Sequence, residues 1–167
     1  SAKNMLSDAE NLESISSDLD TSNCTDFSYT WAGCYSLGTF PELNLSSGID
    51  FENAWNSCES LTTFPEIDLT NGINFKSAWE YCSSLESFPA LNLSNGIDFS
   101  YAWYSCESLT TFPEIDASNG INFEGTWQRC EFLESFPAIN LSSGINFSYA
   151  WDSCESLTTF PEIDLTN

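Results

Sequence analysis

The stretch "FSYAWYSCESLTTFPEIDASNGIN", residues 99–122, decides how the chain is read, because close copies of it occur along most of the sequence. The six tryptophans of the 167-residue chain are each separated from the next by 24 residues, at Trp31, Trp55, Trp79, Trp103, Trp127 and Trp151. Self-similarity at a fixed period of this length is typical of repeat arrays. The sequence therefore predicts a stack of similar units.

Each unit begins at a phenylalanine and follows the pattern F-x-x-x-W-x-x-C-x-x-L-x-x-F-P-x-I/L-x-L-x-x-G-I-x, whose positions we number 1 to 24. Residues 2–26 align as a degenerate capping repeat, with Leu6 at the tryptophan position and Ala9 at the cysteine position. An end repeat is expected to be atypical because its outer face has no neighbour. We therefore interpret 1–167 as a single repeat domain, with full repeats at 27–50, 51–74, 75–98, 99–122 and 123–146 and an incomplete repeat at 147–167.

Two kinds of spacing predict the local structure of a unit. Phe99, Ala102, Trp103 and Cys106 are spaced as one face of a short helix. The segment F-P-x-I-x-L, as in 64–69, places alternate residues on opposite sides of a strand, with the proline at its start because proline cannot donate to a ladder. We therefore expect an α/β solenoid with a parallel β-sheet on one face and short helices or helical turns on the other.

Stacking would bring equivalent residues of successive units together in columns, since neighbouring strands lie about 4.8 Å apart. We expect the tryptophans to pack in one such column, each buried indole N–H having an acceptor. The position-8 cysteines are predicted to form a column of buried free thiols that act as small apolar side chains: Cys34, Cys58, Cys82, Cys106, Cys130 and Cys154. Cys24 lies off this column, and its pairing with Cys34 stays open.

The run "LDTSNCTDFSYTWAGCYSL", residues 19–37, resembles the BspA-like class of leucine-rich repeats, which is typified by L-D-T-S-N-V-T-D-M-S-x-M-F-x-G-C-x-S-L. The segment F-P-E-I-D-L is similarly a shortened relative of the LPxLxxLxL pattern of leucine-rich repeats. Trp replaces the usual Phe of the family before the cysteine. The resemblance implies a surface-displayed, adhesive or partner-binding protein of a microbe or its virus, located extracellularly, on a cell surface or on a virion surface. It carries no catalytic residue to this chain.

The charge balance restricts the possible partners. Twenty-five acidic residues face three basic ones, which gives a formal net charge of −22. Nucleic acid is excluded as a partner because binding phosphates requires clustered Lys and Arg. No apolar run approaches the ~18 residues of a membrane-spanning helix, so we expect no direct membrane insertion. A cationic partner or a divalent cation remains compatible with the charge, and so does a solubility adaptation to salty surroundings.

No residue pattern indicates an enzyme or a bound cofactor. The chain has no histidine, which excludes a catalytic triad, and its carboxylates recur from unit to unit without a unique pair. The cysteines lack the clustered spacing of a metal site. Calcium stays a weak alternative, because oxygen ligands are plentiful but no D-x-D-x-D-G loop occurs.

The outward positions 16 and 18 of the strand segment form the predicted binding surface, because solenoids commonly bind through an extended face. We expect this stripe to recognise a protein or a glycan, although a solvated polar face fits the same residues. The segment "CESLTTFPEID" recurs at 58–68, 106–116 and 154–164, with "CSSLESFPALN" and "CEFLESFPAIN" between its copies, and this period of 48 residues indicates duplication of a two-unit block. The candidate binding residues are Glu42, Asn44, Glu66, Asp68, Asn92, Glu114, Asp116, Asn140, Glu162 and Asp164.

Two other functions stay open. The repeats could serve as a structural spacer in a longer array. Thr pairs such as Thr62-Thr63 could bind ice, but Glu86-Ser87 and Glu134-Ser135 interrupt their array. The sequence stops at Asn167 without a closing helix, so we expect a longer parent array or end-to-end self-association.

Overall fold

The computed structural model describes residues 1–163, in which every unit makes one coil that lies in parallel register on the next. Within this range there is no helix, and strand pairing is limited to single-residue bridges. Two ladders of parallel bridges join residues 24 apart in the sequence. The ladder at position 24 is Asp26↔Asp50, Asp50↔Asn74, Asn74↔Asp98, Asp98↔Asn122 and Asn122↔Asn146. The ladder at position 13 is Thr39↔Thr63, Thr63↔Ser87, Thr111↔Ser135 and Ser135↔Thr159.

Positions 1 to 8 form a run of turns instead of the short helix that their apolar spacing predicts. Every second backbone N–H donates to the next coil, as in Tyr29 N–H to Glu52 O at 2.9 Å and Trp31 N–H to Ala54 O at 2.9 Å. Positions 3 and 7 adopt the left-handed conformation, with φ of 57° at Tyr29 and 71° at Gly33. A right-handed helix would keep all these N–H groups within one coil, so hydrogen bonding between coils excludes it.

The strand segment at positions 14 to 19 is extended but almost unpaired. Its side chains alternate as predicted, with Ile67 and Leu69 buried and Glu66 and Asp68 exposed. Among the described residues, however, only the bridge Asn92↔Asp116 joins neighbouring coils here. The proline at position 15 has no N–H, and the N–H of position 17 commonly turns back to the proline carbonyl, at 2.9–3.1 Å. The two ladders therefore flank the predicted sheet instead of running through it.

The core consists of aromatic columns. The rings of Trp79 and Trp103 lie 5.1 Å apart at 6°, and each tryptophan ring stacks on the next in the same way. A second column contains the position-1 phenylalanines, as in Phe51–Phe75 at 5.4 Å. The position-14 phenylalanines meet the indoles edge to face, as in Phe88 with Trp79 at 4.9 Å. Repetition at 24 residues thus builds one continuous buried core.

The expected acceptor for the indole N–H is absent. All six indole nitrogens are buried without a hydrogen-bond partner among the described residues. Their ring neighbours above, below and at the edge are aromatic. The prediction of a bonded indole is therefore wrong, and ring packing fixes the tryptophan column.

The position-8 cysteines form a column of free thiols that have a hydrogen-bonding role as well as an apolar one. The thiol of Cys58 donates to the Trp31 carbonyl at 3.3 Å, and Cys82, Cys106 and Cys130 repeat this bond. Burial raises the pKa of the Cys82 thiol to about 12. Cys24 is also a free thiol, so it forms no disulfide bond with Cys34.

The N-terminal segment pairs with the first full coil in the same pattern as the full repeats. The N–H groups of Ala2 and Leu6 donate to Asp26 O at 2.8 Å and Thr30 O at 2.9 Å. Asn4 and Asp8 take up the left-handed conformation of positions 3 and 7, at φ 56° and 60°. Residues 2–12 therefore cover the first indole and phenylalanine of the columns from one end.

Candidate recognition surface

The predicted stripe lies on the strand face, which we define as positions 16 and 18 of all coils. In the structure its members from Glu42 to Glu162 are exposed, and Asp164 lies outside the described residues. Ala90 and Ala138 separate the glutamates, so acidic side chains at position 16 occur only in every second coil after Glu66. A shallow groove of 420 Å³ crosses this face beside Glu114.

The Asn and Asp side chains at position 18 hold the following turn. Asp68 Oδ1 accepts the Thr70 N–H at 3.0 Å, and Asn44 Oδ1 accepts the Ser46 N–H at 3.2 Å. The same bond occurs at Asn92, Asp116 and Asn140. The bond from Thr70 also holds the pKa of Asp68 below its ordinary value. Because amide and carboxylate both supply the accepting oxygen, the turn explains the alternation of Asn and Asp without a ligand.

The glutamates at position 16 are therefore the stripe members with the freest side chains. Glu42, Glu66, Glu114 and Glu162 are exposed, and none of them has a resolved ion pair or side-chain hydrogen bond among the described residues. No group of three His, Cys, Asp or Glu residues in 1–163 is arranged to hold a metal ion. What this face presents is an array of carboxylates held at fixed spacing by the stack.

An uncharged stripe of isoleucines escaped the sequence analysis. Position 23 is exposed by 45% at Ile49, 46% at Ile73, 38% at Ile97 and 40% at Ile121. From Ile73 onward, the backbone N–H of each isoleucine donates to the isoleucine carbonyl of the previous coil, as in Ile73 N–H to Ile49 O at 2.8 Å, whereas the Ile49 N–H donates to Thr25 O at 2.8 Å. A groove of 490 Å³ runs between this isoleucine stripe and the amide column of Asn71 and Asn95. The recurring Gly-Ile pair is the feature of the sequence that marks this stripe. Its spacing alone does not show whether the isoleucine side chain faces the core or the solvent.

A third surface varies more from coil to coil than the strand face does, and we call its positions 2, 3, 6 and 7 the turn face. Position 6 holds six different residues: Ala32, Asn56, Glu80, Tyr104, Gln128 and Asp152. The three basic residues of the chain, Lys3, Lys76 and Arg129, all belong to this face, Lys3 through the alignment of the capping segment. The signal in the sequence is that these positions fail to repeat, whereas recurring residues indicate only the core and the turns.

Three tyrosines of the middle coils cluster on the turn face, where Tyr81 is exposed and Tyr101 and Tyr104 are half-buried. The ring of Tyr104 lies 5.3 Å from that of Tyr81 and 5.9 Å from that of Tyr101, both edge to face. Tyr104 raises the pKa of Arg129 in the next coil, and the guanidinium of Arg129 forms an ion pair with Glu131 at 3.6 Å. This cluster combines aromatic surface with a cation on an otherwise strongly acidic chain.

Comparison of the chain with family models, with curated proteins and with solved structures gave no match. Among residues 1–163, no helix is long and apolar enough to cross a membrane.

Proposed function

We propose that this chain is a non-enzymatic recognition or adhesion module, a leucine-rich-repeat solenoid of the BspA-like type displayed on a cell or virion surface. It binds a protein or a glycan through an exposed face of the stack. The observation that carries this proposal is the array of fixed, exposed side chains that the coil-to-coil hydrogen bonds hold at a regular spacing.

Rigidity is what makes such an array useful for binding. A main chain that is already fixed loses little further freedom when a partner docks, so less of the interaction energy is offset by ordering. The main chain of the strand face meets this condition, because Pro65 and the Asx turn at Asp68 fix the segment around Glu66.

The test compares the wild-type chain with the double variant Glu66→Gln/Glu114→Gln in equilibrium binding to a panel of purified glycans and cell-surface proteins. Both substitutions remove charge while keeping side-chain size. We expect binding to weaken about tenfold or more and to lose its dependence on salt. As a matched control, Glu59→Gln/Glu86→Gln removes the same charge from exposed positions 9 and 12, outside the strand face, and should bind like the wild type. Unchanged binding by the double variant would overturn the strand face as the binding surface.

A structural spacer is the second candidate, favoured by the uninterrupted stack. The position-24 ladder and the tryptophan column run through all full coils without a break, and each coil contacts its neighbours. Such a rod transmits length and orientation without binding anything itself. A chain that binds no member of the panel, while its parent protein adheres through another region, would support the spacer over the recognition module.

A further inference from the structure

The tyrosine cluster of the turn face is held in place before any ligand arrives. The ring of Tyr101 lies over Gly125, where a Cβ atom would approach its Cε1 to 2.5 Å. The Tyr101 hydroxyl donates to Glu124 Oε1 at 2.7 Å, and the other oxygen of Glu124 accepts the amide of Asn146 at 3.2 Å. The Tyr101 ring therefore packs over Gly125 of the next coil, and the hydrogen bond to Glu124 fixes its hydroxyl.

Position 7 also combines large and small side chains in successive coils. Ser105 is buried, its hydroxyl has no hydrogen-bond partner among residues 1–163, and it stands between Tyr81 of the previous coil and Arg129 of the next. Tyr81 nevertheless keeps 42% of its surface exposed, and the Arg129 side chain keeps 46%. The cluster thus presents a tyrosine and a guanidinium to solvent on either side of the buried Ser105.

Planar polar groups surround the rings and are themselves fixed. Glu80 Oε2 accepts the Asn56 amide at 3.2 Å. The amide of Gln128 donates to Asp152 Oδ2 at 2.9 Å. Glu80 and Gln128 each use one side-chain hydrogen bond within the protein and keep further donors or acceptors for another molecule, whereas the Asn56 amide is also bonded to Asn53 and Ser57.

We propose that this cluster, centred on Tyr81, Tyr104 and Arg129, is a binding site for a neutral oligosaccharide. The inference rests on the proposed recognition function and moves its site from the strand face to the turn face. A pyranose ring offers an apolar C–H face to an aromatic ring and equatorial hydroxyls to planar amides, carboxylates and guanidinium groups. Aromatic rings with a wet polar rim suit such an amphipathic ligand.

The charge and size of the site favour this ligand over others. The formal net charge of −22 repels acidic glycans, whereas a neutral sugar approaches without an electrostatic cost. A stable protein interface needs about 800 Å² on each partner, with an apolar centre. Here the aromatic surface of the cluster is confined to Tyr81, Tyr101 and Tyr104 on two coils, and it is bordered by Glu80 and Glu124.

The experiment applies the intact chain to a printed array of neutral hexose and N-acetylhexosamine oligosaccharides. The strongest binder is then measured by titration calorimetry against Tyr81→Ala and Arg129→Ala. The matched control is Tyr35→Ala, because Tyr35 is exposed by 39% but stands at position 9, outside the turn face. We expect each cluster variant to weaken binding about tenfold or more, and the control to bind like the wild type. Circular dichroism and thermal unfolding verify that each variant folds.

Three results would overturn the site. One is that no neutral oligosaccharide binds at millimolar concentration, and another is that Tyr35→Ala loses as much affinity as Tyr81→Ala. The third is that Glu66→Gln/Glu114→Gln abolishes binding while Tyr81→Ala does not, which refutes the turn-face site but leaves the recognition function standing. If the cluster binds only a protein, the oligosaccharide is refuted as its ligand, but the proposed recognition function still stands.

Discussion

The strand face and the turn face of this stack differ in how far their side chains are needed by the fold. On the strand face, position 18 repeats because each Asn or Asp accepts a backbone N–H of the next turn. On the turn face, position 6 differs in every coil, and the main chain beneath it keeps the same hydrogen bonds throughout. Repetition here marks residues that the coil requires, and variation marks residues left available for other uses.

The repeated core gives the largest expected effect. Trp103→Ala removes a fully buried indole that stacks on Trp79 and Trp127, and the neighbouring coils cannot close the space without losing their register. We expect the free energy of unfolding to fall by about 3–5 kcal/mol. Urea unfolding followed by circular dichroism measures this change. Tyr104→Ala, one position along the chain on the turn face, serves as the control, and an equal loss there would erase the distinction between core and face.

The thiol column should make the protein sensitive to alkali. The pKa of Cys82 is raised by burial to about 12 from an ordinary value of 9.0, so the unfolded chain loses this proton first as the pH rises. Its stabilising contribution is complete below pH about 9 and is lost as the pH rises toward 12. We expect the free energy of unfolding to decline between these values in urea titrations. Cys82→Ala removes one titrating group and should decline less steeply; identical slopes would contradict this account.

The turn-holding role of position 18 predicts a smaller change in stability. Asp68→Ala removes the acceptor of the Thr70 N–H and should cost about 1 kcal/mol of unfolding free energy. Asp68→Asn retains that acceptor, as Asn44 and Asn92 do in neighbouring units, and should be nearly neutral. Thermal unfolding of the two variants side by side measures the difference. An Asn variant as unstable as the Ala variant would mean that the charge, and not the turn, is what matters there.

The smallest effect is expected at the variable position itself. Gln128→Ala loses one exposed hydrogen bond to Asp152, so its free energy of unfolding should stay within about 0.5 kcal/mol of the wild type. The same urea experiment decides this. A loss of unfolding free energy comparable to that of Asp68→Ala would show that the turn face also stabilises the fold. The variation of position 6 would then not mean that its residues are dispensable for stability.

Much of the fold was accessible from the sequence because it depends on period alone. The 24-residue spacing of Trp79 and Trp103 predicts that their side chains meet, and the rings lie 5.1 Å apart. The alternation of Glu66, Ile67, Asp68 and Leu69 predicts which side chains face the core, and the burial follows it. The candidate site was less accessible, because exposure at Glu66 could be predicted but the bond that occupies Asp68 could not.

The sequence by itself determined the register, because identical residues at a constant interval can bury their apolar side chains together only by stacking. Only the tertiary structure decided that Tyr29 donates its N–H to Glu52 in the next coil and not within its own turn. That choice depends on the acceptors that a neighbouring coil offers, and no local spacing records them. The same holds for the isoleucine stripe and for Tyr101 over Gly125, since contacts between coils decide which side chains are covered and which remain open to solvent.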